Sequence, residues 1–170
     1  MNIITRLTNI ITTPKEEFES IKKETTIKEA LIYLIPLTIF FTASKLTTGM
    51  PSQLDAIKEP ITKYILYFIA SIAALYIVTF AIAGILHYTL KIFKNNNSFI
   101  DVYKTIAYGA TPYMLLGWMP LISIITVAFM VYLHVIGINT TTKITIKETT
   151  ISYVIMAVAL IAIVAIIGLI

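Results

Sequence analysis

The chain has no cysteine, which excludes disulfides, thiolate metal sites and thiol catalysis. Charge is sparse as well, at 13% of residues against about 25% in an average soluble protein. No Asp, Glu, Lys or Arg falls in the middle of any long apolar run, although intramembrane catalysis and ion-coupled transport need ionisable groups at depth. There is no His-Glu-x-x-His zinc pattern, no phosphate-binding P-loop and no serine in a nucleophile elbow, so no enzyme, metal site or cofactor is expected. Met1 to Ser20 has no uninterrupted apolar core, so no secretory signal is expected either. A single arginine beside abundant Ile, Lys and Asn is the composition of an AT-rich genome.

What the chain has is hydrocarbon. Apolar residues make up 58% and the mean hydropathy is +0.87, and the excess is gathered into runs, the pattern of a multi-span membrane protein. The net charge of +4 comes almost wholly from lysines spread over short connections. Nucleic-acid binding requires a concentrated basic face; attraction to anionic lipid headgroups accounts for these lysines instead.

No charged residue lies between Lys104 and Lys143, yet Pro112, Gly117 and Pro120 interrupt that stretch. One straight helix is therefore not expected. Two short spans joined by a tight turn at Gly117-Trp118-Met119-Pro120 fit better, and the remaining apolar runs bring the total to five. The expected fold is all-α, with cytoplasmic amphipathic N-terminal helices over residues 1–25 and a membrane domain over 26–170. Its spans are read at about 27–44, 61–90, 102–119, 120–138 and 150–170. Ile3, Ile4, Leu7, Ile10 and Ile11 form one stripe, which either lies flat in the headgroup layer or docks on the bundle. Thr13-Pro14-Lys15-Glu16 reads as a new helix start, and the charged turns after it should sit at the aqueous border. Pro36 should kink the first span. The loop from Lys45 to Lys58 contains Gly49 and Pro51, with a helical turn from Ser52. Thirty residues of second span would reach ~45 Å, more than a ~30 Å hydrocarbon core needs, so it must tilt or project. Lys94-Asn95-Asn96-Asn97 should form a turn, and Lys104 should snorkel to the headgroups. The fourth span should end at Gly137 and Asn139.

Spans one, three and five each begin with Ser/Thr-x-x-Asp/Glu, at Thr26, Ser98 and Thr145, which is consistent with a shared aqueous side. Five spans place Arg6, Lys15, Lys22, Lys23, Lys28, Lys91, Lys94, Lys104, Lys143 and Lys147 on one side, against Lys45, Lys58 and Lys63 on the other. That asymmetry puts the N-terminus in the cytoplasm and the C-terminus outside. The glycosylation patterns at Asn96 and Asn139 then fall in the cytoplasm and should stay bare.

His87 and His134 lie near span ends and read as interfacial anchors, as do Tyr108, Tyr113 and Trp118 in part. Thr38, Ser71, Thr79, Thr111, Ser123 and Thr126 should bond to their own or neighbouring helices, and Gly84, Gly109, Ala107 and Ala110 should mark close helix contacts.

Several short motifs point to a family. Near the N-terminus stands Pro-x-x-x-Phe-x-x-Ile, as Pro14, Phe18 and Ile21; Ala107, Tyr108 and Pro112 form Ala-Tyr-x-x-x-Pro. A second proline follows at Pro120, then Val135, Gly137 and Ile138 as Val-x-Gly-Ile. In these motifs and in its five-span order the chain resembles the Yip family of Ypt/Rab-interacting membrane proteins, in a small prokaryotic form. It departs from the family pattern after the second span, where it keeps only Ser98-Phe99 of a Gly-Gly-x-x-Ser-Phe-like element. The resemblance implies Pro14, Phe18, Tyr108, Pro112, Pro120 and Gly137 as structural motif positions. It also implies a GTPase partner, as for eukaryotic members in vesicle traffic.

The expected role is a non-enzymatic scaffold or adaptor in the cell membrane, with the lipid bilayer and other membrane proteins or further copies of itself as partners. The alternative is a small-solute or lipid transporter or channel built around the helix broken at Pro112. A reporter fused after Ile170 should be found outside the cytosol; one that is active inside the cytosol contradicts the five-span count.

Overall fold

The computed structural model describes residues 2–48, 58–93 and 98–167, and no strand occurs among them. The chain forms α1 (Ile3–Thr12), α2 (Pro14–Ile21), α3 (Lys28–Lys45) with a 3-10 turn at Leu46–Thr48, and α4 (Pro60–Lys91). It continues as α5 (Phe99–Gly109), α6 (Thr111–Leu116), α7 (Pro120–Thr142) and α8 (Ile146–Ile167). Among the described residues, three segments are long and apolar enough to cross a membrane: Lys28–Thr48, Pro60–Lys91 and Pro120–Thr142. The loop with Gly49 and Pro51, the turn from Ser52, the Lys94–Asn97 turn, the Asn96 glycosylation pattern and residues 168–170 lie outside the described residues.

Helix starts follow local chemistry. Pro14, Pro60 and Pro120 each occupy the first helical position, where a missing N–H costs nothing and the fixed φ suits the helix. The side chains of Asn2 and Ser98 accept from the N–H groups of Ile4 (3.2 Å) and Ile100 (3.1 Å). Thr145 and Glu148 form a reciprocal capping box, with Thr145 N donating to Glu148 Oε2 (3.0 Å) and Glu148 N donating to Thr145 Oγ1 (3.3 Å). The Thr145 hydroxyl, which donates to Glu148 Oε2 (2.7 Å), and then the Thr145 N–H hold the Glu148 carboxyl below its usual range. The expected cap at Thr13 does not form. Its hydroxyl donates back to Asn9 O (3.3 Å), because α2 follows α1 without an intervening linker.

The two placements left open for the N-terminal segment resolve to docking on the bundle. Ile10, Phe18 and Ile21 are fully buried, while Ile4 stays 69% exposed and Ile3 and Ile11 remain partly exposed.

The element at the centre is α5. Val102, Tyr103, Lys104, Thr105, Ala107 and Tyr108 are all fully buried, enclosed by α3, α4 and α7. The expected third span is not one rod, since α5 ends at Gly109 and α6 begins after Ala110. Pro112 has no N–H for the carbonyl of Tyr108 four residues earlier. Thr111 Oγ1 donates to that carbonyl at 2.5 Å and lies 2.7 Å from Tyr33 Oη, so the Tyr33 hydroxyl donates to Thr111 and the freed acceptor is satisfied across the helix pair. Thr38, Thr79, Ser123 and Thr126 likewise bond to carbonyls of their own helices.

The fourth apolar helix overruns its expected end, continuing through Gly137 and Asn139 to Thr142. Gly137 is not a terminator there. A Cβ at this position would lie 2.5 Å from Thr105 Cγ2 and 2.8 Å from Phe18 Cζ, so the missing side chain is what admits α2 and α5 against α7. Asn139 Nδ2 instead donates to Ile144 O (2.7 Å) and braces the link to α8. Gly109 acts similarly, since a Cβ there would lie 2.3 Å from His134 Cδ2. Gly84 has nothing within 4 Å, so the expectation of a close contact fails at that position.

Gly137→Ala should destabilise the protein in detergent by about 1–3 kcal/mol, as overpacking does. Combining it with Phe18→Ala should cost less than the sum of the two changes, because they share a contact; strict additivity of thermal-melt data would contradict this packing.

Candidate functional site

Tyr108 lies where the N-terminal helices close over α5. Its ring packs on Tyr33 with centroids 4.7 Å apart. Its hydroxyl donates to Glu24 Oε2 (3.0 Å) and accepts from Arg6 Nη1 (2.6 Å). Arg6 also pairs with Glu24 directly and, through Nε, with Glu17 Oε1 at 3.2 Å. The guanidinium carbon stands 4.9 Å from the Tyr108 ring centroid, within the range of a cation–π contact. Asn9 Nδ2 donates to the other Glu17 oxygen at 3.0 Å. These groups lie out of water: the side chains of Arg6, Glu17 and Glu24 are 14%, 4% and 12% exposed. Burial works against the guanidinium charge, but Tyr108, Glu24 and Glu17 more than offset it, so the Arg6 pKa sits above its ordinary value. The planar fork of the guanidinium reaches two carboxylates and a phenol from separate nitrogens, a spread that the compact ammonium of a lysine does not reproduce.

Lys104 grips the same connection from beneath. Its Nζ donates to Glu24 O (2.6 Å) and Ile21 O (3.1 Å) and forms an ion pair with Asp101 Oδ1 (3.1 Å). The expected snorkelling to the headgroups therefore does not occur; the side chain is fully buried. Three acceptors satisfy the ammonium internally, and one is a terminal carbonyl of α2, where cations are favoured. Glu24 is thus held at both ends, its carboxylate by Arg6 and Tyr108 and its carbonyl by Lys104.

Among the motif residues, Phe18 meets Gly137 and Tyr108 joins Arg6 and Glu24. Pro14, Pro112 and Pro120 stand at helix starts rather than in one site. His134 is not an interfacial anchor: it is buried, its Nε2 lies 3.1 Å from Ile106 O, and its ring stacks on Tyr153. Nor does Tyr108 belong to an aromatic belt, being fully buried. By sequence alone Arg6 reads as one of the cytoplasmic charges and Glu17 falls in turns at the aqueous border, whereas both belong to the cluster. The available signal was the lone arginine in a chain that otherwise uses lysine.

Beside the cluster opens a notch of about 240 Å³, lined by Ile3, Arg6, Glu24, Glu29, Ile32 and Tyr33. The charges of the cluster are paired with one another, so the arrangement clamps two N-terminal helices to the core. Against known proteins, the chain matches the Yip1 domain over residues 8–169. No curated protein and no solved structure matches it.

Arg6→Ala leaves two buried carboxylates without their cation, a change of the class that costs about 3–5 kcal/mol. Lys104→Met removes the donor to the Ile21 and Glu24 carbonyls, at about 1–3 kcal/mol for a buried acceptor left unpaired. Both variants should accelerate tryptic cleavage at Lys15, Lys22 and Lys23 in intact membranes; wild-type cleavage rates would show that the cluster does not hold these helices.

Proposed function

The chain belongs to the Yip1 domain family, and on that premise we propose that it is a non-enzymatic membrane scaffold or adaptor, presenting its clamped N-terminal helices to a protein partner. It is a multi-pass membrane protein, as family membership and its long apolar helices both indicate. We read five spans in it: α3, α4, the α5–α6 pair, α7 and α8. The 22 residues of α8 give ~33 Å, and Val154, Val158 and Ile161 are exposed along it, as a lipid-facing helix requires. Lys22 Nζ donates to Thr140 O at 3.4 Å and Lys104 reaches Ile21, so α2, the start of α5 and the end of α7 share one end of the bundle. This supports gathering the lysine-rich connections, and with them the N-terminus, on the cytoplasmic side of the cell membrane.

The observation that carries the scaffold reading is the pairing of the buried charged groups with one another. A carrier works through polar groups that remain available to solute at depth. Here the carbonyl freed by Pro112 is taken by Thr111, and the carboxylates of Glu17 and Glu24 are taken by Arg6. These contacts favour the scaffold over the transporter or channel alternative. The partners expected of it are other integral membrane proteins or further copies of this chain, and a GTPase partner rests on the family alone.

Cross-linking in native membranes should recover a discrete set of protein neighbours; recovery of none under several chemistries would defeat the proposal. In proteoliposomes, solute flux should stay at background and be unchanged by Thr111→Ala or Pro112→Ala. Flux above background that these substitutions alter would establish transport instead.

A further inference from the structure

Away from the clamp, two cavities meet inside the bundle. The inner one, of about 280 Å³, lies between α4, α5, α6, α7 and α8 and is walled in part by Met114, Met130 and Met156. The outer one, of about 340 Å³, lies between α3 and α4 and reaches Lys45, the last residue of α3. Leu75, Val78 and Tyr113 line both, so one crevice runs from the α3 C-terminus to the centre of the bundle.

The two ends differ in chemistry. An apolar cavity of about 150 Å³ stays dry and accepts a benzene, so the inner cavity has room for roughly a dozen carbon atoms on the same scale. Its methionines are unbranched and adapt to an irregular apolar guest. At the outer end, Lys45 makes no ion pair among the described residues, and its Nζ stands over the Phe41 ring, 5.9 Å from the centroid. Thr42 is 1% exposed and its hydroxyl has no hydrogen-bond partner among the described residues, a costly state for a buried polar group. Ser71 adds a further hydroxyl from α4. An ammonium lining the outer cavity together with the Ser71 hydroxyl and the buried, unpartnered Thr42 hydroxyl complements an amphiphile with an anionic head.

We propose that this crevice binds an anionic phospholipid, with its phosphate at Lys45 and Thr42 and one acyl chain running past Tyr113 into the methionine-lined cavity. The site lies at the end of the bundle opposite the N-terminal helices and is independent of the scaffold reading.

The full chain, reconstituted in phosphatidylcholine vesicles with a trace of phosphatidylglycerol bearing a diazirine at one chain end, tests this. After illumination, adducts mapped by mass spectrometry should be at least threefold richer around Met130 and Met156 than around the outward-facing Ile124 and Ile125. Unlabelled phosphatidylglycerol should compete, and further phosphatidylcholine should not. Lys45→Glu should reduce the inner adducts at least threefold, and Leu75→Trp, which fills the junction of the cavities and keeps the mouth charge, should do the same. Adducts no richer inside than at Ile124, or insensitive to headgroup and to Leu75→Trp, would overturn the proposal. Competition by a free fatty acid but not by phosphatidylglycerol would overturn the phospholipid assignment. Should Lys45→Glu fail to fold, headgroup competition and Leu75→Trp decide the question.

Discussion

One guanidinium between two carboxylates and a phenol joins the first two helices to the rest of the molecule. Arg6 is paired with Glu17 and Glu24 and bonded to Tyr108, which in turn donates to Glu24, and none of the charged groups could be left alone at such low exposure without a large desolvation penalty. Lys104 completes the arrangement by bonding the backbone that carries Glu24. The clamp therefore constrains position as well as charge: α1, the connection after α2, and α5 can meet only in one register.

Close approach of backbones does the remaining work. At Gly137 the Phe18 ring enters the space a side chain would fill, and at Gly109 the His134 ring does so. With no hydrophobic driving force between helices inside lipid, small residues that admit close packing and hydrogen bonds across helices are what hold a bundle together. His134 supplies both, since its ring covers Gly109 while Nε2 reaches Ile106 O. Around α5 the bundle thus closes by shape at one face and by polar contact at another.

These two devices gather the paired charges at the end of the bundle that holds the N-terminal helices, while the opposite end keeps Lys45 without an ion pair among the described residues and the Thr42 hydroxyl without a hydrogen-bond partner beside an apolar slot. On the scaffold and lipid-binding readings proposed above, the molecule offers a protein surface on one side of the bilayer and an apolar recess toward the other. The two ends meet through α5 and α6, whose break at Ala110 borders the inner cavity.

The membrane character, the long helices and most helix starts were legible in the chain because their causes are local. Contiguous residues share a solvent preference, a proline lacks an N–H wherever it stands, and a Thr-x-x-Glu box closes within one turn. Three segments long enough to span fall where the apolar runs fall. What was not legible depends on distant partners: Arg6 meets Tyr108 across 102 positions, and Lys104 meets Ile21 across 83. Taken by themselves, both cations read as headgroup-facing charges, and Gly137 reads as a helix stop. Only the lateral packing of α2, α5 and α7 turns the first two into a buried clamp and the third into a notch, because a charge, or a missing side chain, acquires its role from what is pressed against it.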